Sequence, residues 1–426
     1  MLPGQLAWIR EEGHRLDGAV RHRLFGLYRP PGWLPCWFHG LWFFLVARFA
    51  RLDLIIGTEG DCAHLHETLK RTRSRMNHHL PELGLTCARV GAGALREVCC
   101  CHGVTRIWPD GQVRTLLDAA VPGAGAREAV SRYTGAGVTI AVMDTGIYQH
   151  PDLAGRIVGF RDFVKNRTAP YDDNGHGTHV AGCAAGSGAS SGGRYRGPAP
   201  GALLVGVKVL DKTGNGQISS LLAGIDWVIA NRERLGIRVL NLSLGAPARG
   251  SCAADPLCRA VEAAWEAGIT VVAAAGNEGP GAGTVASPGM SARVLTVGAS
   301  DDRGTPERGD DQIAGFSSRG PTPEGLHKPD LLAPGAAITS LRSPNSYIDK
   351  SSRQARVGDH YLTLSGTSMA TPILAGIVAL LLEAVPSMSP DQVKARLTAT
   401  AEDRGLARDE QGAGLVDADR ALFGPF

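Results

Sequence analysis

From residue 138 to about residue 400, short and nearly continuous apolar runs alternate with longer Ala-rich stretches of helical period. The runs at 138–143, 203–210, 237–242, 269–275 and 294–299 are rich in Val, Ile and Leu, the pattern of strands covered on both faces. The helical stretches fall at 177–186, 218–233, 256–267, 368–384 and 390–399. Strands that alternate with helices are joined by crossovers and pair in parallel, so this region predicts a parallel α/β sheet.

Residues 1–116 differ in character. Leu52–Ile56, Leu85–Val90 and Val104–Trp108 predict strands, with a charged amphipathic helix at Cys62–Asn77 and a second helix at Ala92–Cys101. Pro109-Asp-Gly111 is a turn signal, and Gln112–Leu117 is expected to pair across it. The aromatic segment Trp33–Ala50 is too short and too interrupted to span a bilayer. About 30 residues, with acids among them, precede it, and no small-x-small site follows cleanly, unlike a secretory leader. It reads as an amphipathic or buried piece of the N-terminal region, and membrane association is not expected.

Composition narrows the picture. Lys and Arg number 44 against 41 Asp and Glu, a net charge of +3 that gives no reason to invoke nucleic acid. Nine cysteines, three of them consecutive at Cys99–Cys101, make a poor disulfide framework. They fit a reducing compartment, so a cytoplasmic location is expected, with secretion as the alternative. Cys252 and Cys258 are spaced to pair if oxidised.

Four segments carry chemistry. Ser365-Gly-Thr-Ser-Met-Ala-Thr-Pro372 puts Ser368 at the start of a long apolar helix, where backbone N–H groups and the helix dipole favour an anion. A single Gly-x-Ser turn is more often a helix cap. Val138–Ile147 reads as a buried strand ending in Asp144-Thr-Gly, the strand tip where α/β sheets carry their sites. In Asp172–Gly182, His176 stands between two glycines just before a helix carrying His179. Two histidines three apart also suggest metal ligands, but no His-Glu-x-x-His pattern accompanies them. In Val271–Gly279, Asn277 follows a strand and offers an amide donor to a developing oxyanion.

Together these segments, over roughly Ala126–Ala418, resemble the subtilisin-like serine proteases (subtilases), whose chain order is Asp, His, Ser. Gly197-Pro-Ala-Pro, Phe316-Ser-Ser-Arg-Gly-Pro and Ser340–Lys350 resemble the AprX-type bacterial branch. The resemblance implies a doubly wound, mostly parallel α/β sheet with helices on both faces, preceded by a small α+β prodomain. It divides the chain into an N-terminal extension (1–51), an inhibitory prodomain (52–116), a processing linker (117–127) and a catalytic domain (128–426). It implies a self-processed serine endopeptidase acting on proteins or peptides, with its own prodomain as intramolecular inhibitor. Ser368 would be the nucleophile, His176 the base and Asp144 its partner. Asn277 and the Ser368 N–H would form the oxyanion hole. A catalytically silent peptide-binding subtilase is the alternative, though none of those four residues is missing.

The same likeness implies a cleft. Ser243, Leu244 and Gly245 would meet the substrate backbone on one side, and Gly214, Asn215 and Gly216 on the other. Ala274, Ala275 and Gly276 would wall the S1 pocket. Ala286 stands where many members have glycine, which predicts a shortened S1. No cofactor is expected to be required. Ser187–Arg196 lacks the Asn-rich calcium loop of secreted subtilisins, and Asp152 alone matches a ligand of that calcium site. The polar insertion Arg342–Tyr361 reads as a lid or a disordered loop.

Overall fold

The computed structural model describes every residue except 1–5, 7, 33, 61, 116–123, 127, 249, 306 and 426. The chain divides into two units, Met1–Gly111 and Gln112–Phe426. Of the expected processing linker, only residues 124–126 lie among those described.

In the first unit, strands β1 (Arg51–Thr58), β2 (Arg75–Leu80), β3 (Leu85–Gly91) and β4 (Val104–Pro109) form an antiparallel sheet in the order β2-β3-β1-β4. With helices Ala63–Arg71 and Leu95–Cys99 as crossovers, this is a split βαβ arrangement. The helix expected over Cys62–Asn77 stops earlier. Arg73 takes a left-handed conformation (φ 55°), and the chain turns into β2. Pairing of β2 with β3, through a turn at Gly84 (φ 60°), outweighs the helical pattern of Arg75–Asn77. Residues ahead of β1 share its core: Leu16, Val20 and Leu24 are buried in one cluster with Leu52, Leu54, Ile56 and Leu65. Trp33–Ala50 supplies a helix, His39–Phe49, that buries Val46 and leaves Leu41, Phe44 and Phe49 exposed.

The second unit begins with β5 (Gln112–Thr115) and continues through β6 (Thr139–Asp144), β7 (Ile157–Asp162), β8 (Leu203–Lys208), β9 (Asn215–Gln217), β10 (Ile237–Leu242) and β11 (Leu244–Gly245). Then come β12 (Thr270–Ala274), β13 (Leu295–Asp301), β14 (Gln312–Ile313) and β15 (Leu331–Pro334). The main sheet runs β14-β13-β12-β10-β6-β8-β7, with β15 also beside β13. Its neighbours are parallel except β13 and β14. Helices His176–Ala185 and Thr367–Ala384 pack together against this sheet, and Ile218–Leu235 and Pro256–Glu266 form a second pair. Thr367–Ala384 is long and apolar enough to span a membrane, but it is the buried central helix of the core.

Two expectations are corrected. Gln112–Thr115 does not pair back onto β4. The Asp110 N–H bonds the Asp53 carbonyl, prolonging the β4–β1 ladder instead of reversing the chain. β5 instead lies between β9 and β11, antiparallel to both. The Arg342–Tyr361 insertion is built into an ordered element. It links β16 (Ile338–Leu341), β17 (Arg356–Val357) and β18 (Tyr361–Leu364), which form a small antiparallel sheet. At its centre Asp349 is paired with Arg342 at 2.5 Å and Arg356 at 2.7 Å. Cys252 and Cys258 are joined as a disulfide.

Candidate active site

The main sheet reverses its winding at β6: β8 and β7 lie to one side, β10, β12 and β13 to the other. Clefts open at the carboxyl ends of strands at such a switch point. Asp144 is the last residue of β6, and His176 is the first of its helix. Gly177 lets them meet, because a Cβ there would run into the Gly146 carbonyl and lie 3.1 Å from Asp144 Cβ. His176 Nδ1 is 2.8 Å from Asp144 Oδ1 and 2.9 Å from Oδ2, and both residues are fully buried. Such a carboxylate orients an imidazole and stabilises its cation.

A carboxylate that the sequence reading passed over, Asp172, ties this pair together. Its Oδ1 accepts from Thr145 Oγ1 (2.9 Å), Asn174 N and Gly175 N, and its Oδ2 from Thr178 N and Oγ1. Thr145 Oγ1 in turn accepts from Gly177 N at 2.9 Å. The turn after Asp144 and the first turn of the His176 helix are thus held by one group. The inserted segment buttresses the same loop. Ser343 Oγ donates to the Asp172 carbonyl, Tyr347 N to Asp173 and Ile348 N to Asn174. The signal was present in the Asp-Asp-Asn run before Gly175, but neighbouring acids there look like an ordinary turn.

His179 serves the fold. Its Nε2 lies 3.1 Å from the Ile338 carbonyl and 3.0 Å from that of Leu362, so it carries the proton. Burial, helped by the charge of His176, pushes its pKa down to about 3. The neutral ring joins the helix to the small sheet and has its Nε2 committed, which argues against a metal shared with His176.

Ser368 sits in the first turn of Thr367–Ala384, whose helix packs on that of His176. Its Oγ donates to the Ser243 carbonyl at 3.0 Å, and Ser243 Oγ donates back to the Ser368 carbonyl at 2.9 Å. Asn277 Oδ1 accepts from Thr367 N and Oγ1, each at 2.9 Å. That fixes the amide and leaves Nδ2 buried with no partner among the described residues. A buried N–H left unpaired is unfavourable and calls for an explanation. This donor belongs to the amide that holds Thr367, the residue before Ser368.

The expected cleft edges are the two partners of β5. Thr115 stands opposite Leu244, Arg114 opposite both Gly245 and Asn215, and Val113 opposite Gly216. Gly214 (φ 80°) makes the turn that opens β9. Ser243 precedes β11 and binds Ser368, as above. Among the residues expected to form S1, the Ala286 N–H bonds the Ala275 carbonyl beside Ala274 and Gly276. A Cβ on Gly245 would lie 3.1 Å from the Ala286 methyl, and one on Gly276 3.4 Å from it. Ala286 therefore stands between the two walls.

Asp152 is buried, and protein donors engage both its oxygens. Ser190 N and Oγ donate to Oδ1, and Tyr361 OH to Oδ2 at 2.6 Å.

This fold, with these segments at its switch point, is that of a serine protease of the subtilisin type. The subtilase family model matches residues 135–415, and the chain belongs to that family. It is 46% identical to the serine protease AprX of Bacillus subtilis (strain 168), across 98% of each chain. Subtilisin Savinase of Lederbergia lenta is 40% identical over 68% of this chain and 91% of that protein. The crystal structure of fervidolysin from Fervidobacterium pennivorans, a keratinolytic enzyme related to subtilisin, shares the fold. Its TM-score is 0.71 at 24% identity, over 88% of this chain and 61% of that one. The chain is thus a protease acting on protein or peptide substrates.

Proposed function

We propose that it is an endopeptidase working through Asp144, His176 and Ser368, and that it cuts its own chain. The observation that carries this reading is the buried His176–Asp144 pair, its histidine on a helix packed against that of Ser368. Ser368 Oγ attacks the scissile carbonyl as His176 Nε2 takes its proton. The imidazolium then returns the proton to the leaving amine, and water repeats the sequence on the acyl-enzyme. Asp144 stays ionised throughout and holds Nδ1–H. Asn277 Nδ2 and the Ser368 N–H receive the oxyanion. A silent peptide-binding role is disfavoured, since every group this sequence of steps needs is present. Calcium has no part at Asp152 on this reading, because its oxygens already accept from Ser190 and Tyr361.

Residues 112–115 bind in the cleft as an extended substrate strand would, by main-chain pairing with two edges. The pairing ends with Thr115 opposite Leu244, the residue after Ser243, whose carbonyl accepts from Ser368 Oγ. We therefore assign the self-cleavage to the Leu116–Leu117 bond, leaving the released N-terminal part as an inhibitor of its own protease. Intact mass and N-terminal sequencing of incubated wild type should give a mature chain starting at Leu117. A mature start elsewhere rejects the register.

A leucine at P1 suits the narrowed pocket. Ala286→Gly should raise the kcat/KM ratio of Phe over Leu peptides by about tenfold, the scale of one methyl in an apolar pocket. An unchanged ratio in a P1 peptide series would show that Ala286 does not set the depth of S1.

A further inference from the structure

Helix His39–Phe49 of the first unit carries apolar residues on every side. Its inward face holds the buried Val46 and Trp42, whose Nε1 donates to the Leu27 carbonyl at 3.2 Å. Phe43 and Ala47 pack on the same core. Its outward face has no such cover. Leu41, Phe44, Leu45, Arg48 and Phe49 stand at i, i+3, i+4, i+7 and i+8, the spacing of one stripe along a helix. Phe44 is 60% exposed and Phe49 68%, with Leu41 and Leu45 exposed beside them. Trp37, just ahead of the helix, is 78% exposed and lies against Phe38, their ring centres 3.8 Å apart. Single apolar residues at a surface are ordinary, but a contiguous stripe of large ones marks a contact surface.

Charge indicates what covers it. Residues 18–52 hold five arginines, Arg21, Arg23, Arg29, Arg48 and Arg51, and no Asp or Glu. All five are exposed. The acids that bound this segment are engaged elsewhere: Asp17 lies 3.8 Å from Arg106, and Asp53 2.7 Å from Arg89. Arg48 belongs to the stripe itself, its guanidinium carbon 5.7 Å from the centre of the Phe49 ring. Arg51 donates to the Arg48 and Ala50 carbonyls, so its charge stands at the same end of the helix. A second copy seated on the stripe by a two-fold axis would bring two basic faces together. An anionic surface would instead be attracted, and aromatic rings beside arginine stems suit the boundary between lipid headgroups and acyl chains.

We propose that the stripe of Leu41, Phe44, Leu45 and Phe49, with Trp37, docks on an anionic lipid surface, where Arg48 and Arg51 meet the headgroup phosphates. Eleven residues are too few to cross a bilayer, so the helix lies along the surface with its apolar face down. Membrane association is not expected from the sequence alone, because an aromatic helix of this length can equally be buried. The tertiary structure buries one face and leaves the other in solvent.

The test uses the full-length chain carrying Ser368→Ala, so that self-digestion does not intervene, floated with vesicles of equal parts phosphatidylcholine and phosphatidylglycerol. The chain should rise with these vesicles, bind at least tenfold more weakly to phosphatidylcholine alone, and dissociate as salt is raised. Phe44→Gln with Phe49→Gln should weaken binding at least tenfold, and Arg48→Gln roughly fivefold, the scale of one cation near a charged surface. These side chains are exposed, so the apparent Tm without lipid should not fall, and Arg48→Gln serves if the double variant does not fold. Failure to float with the anionic vesicles, equal binding to phosphatidylcholine, or undiminished binding by the folded variants overturns the assignment. A lipid-free dimer that the Phe44 and Phe49 changes dissolve would give the stripe to a second copy instead, and overturns it as well.

Discussion

Ser368→Ala is expected to leave the 44.7 kDa chain at full length after prolonged incubation, while wild type shortens by its first 116 residues. Turnover of peptide substrates should fall about 10⁶-fold, the loss known when the corresponding serine is removed from subtilisin, a relative of this chain. The alanine should not disturb the fold. The hydroxyl donates to the Ser243 carbonyl, and the helix N-terminus is held independently by Thr367 on Asn277. A folded variant that still shortened in a protease-free preparation would assign the cleavage to another group. A wild type that did not shorten, yet hydrolysed peptides through Ser368, would keep the triad and discard self-processing.

Asp144→Asn is the second large effect, a loss of about 10⁴-fold in kcat near neutral pH. Both carboxylate oxygens face His176 Nδ1 at 2.8–2.9 Å, and Oδ1 also accepts from Thr145 N at 2.6 Å. An amide of the same shape would turn an N–H₂ donor toward Nδ1. The ring would then keep its proton on Nε2, where it is unable to take one from Ser368. The geometry would survive while the tautomer changed, so KM should move far less than kcat. A loss below tenfold would mean that Asp144 is only a packing group and that the buried pair does not act in the reaction.

The main sheet and its helices were legible because their physics is local. Strands covered on both faces are apolar throughout, and the helices between them carry a 3.6-residue period. The expected strand 237–242 and helix 256–267 therefore fall within a residue of Ile237–Leu242 and Pro256–Glu266. A strand without a continuous apolar run escaped for the same reason. β7 reads Ile-Val-Gly-Phe-Arg-Asp, and its partner β8, not its composition, makes it a strand. In the first unit, Arg75–Asn77 continued a charged helical pattern, and pairing with β3 overrode it.

The sequence by itself determined which side chains the site has. Asp144-Thr-Gly, Gly-His176-Gly and Gly-Thr-Ser368 each need a strand tip or helix start with small neighbours, and that requirement is written in adjacent residues. The tertiary structure alone decided what surrounds them. Asp172 became the hub of the Asp144 and His176 turns because Thr145, Asn174 and Thr178 converge on it in space. The Arg342–Tyr361 insertion became a buttress because Asp349 gathers Arg342 and Arg356 from its two ends. Gln112–Thr115 left β4 for two open antiparallel edges more than a hundred residues away. Backbone pairing of that kind depends on free N–H and C=O groups brought side by side, and no local pattern of side chains encodes it.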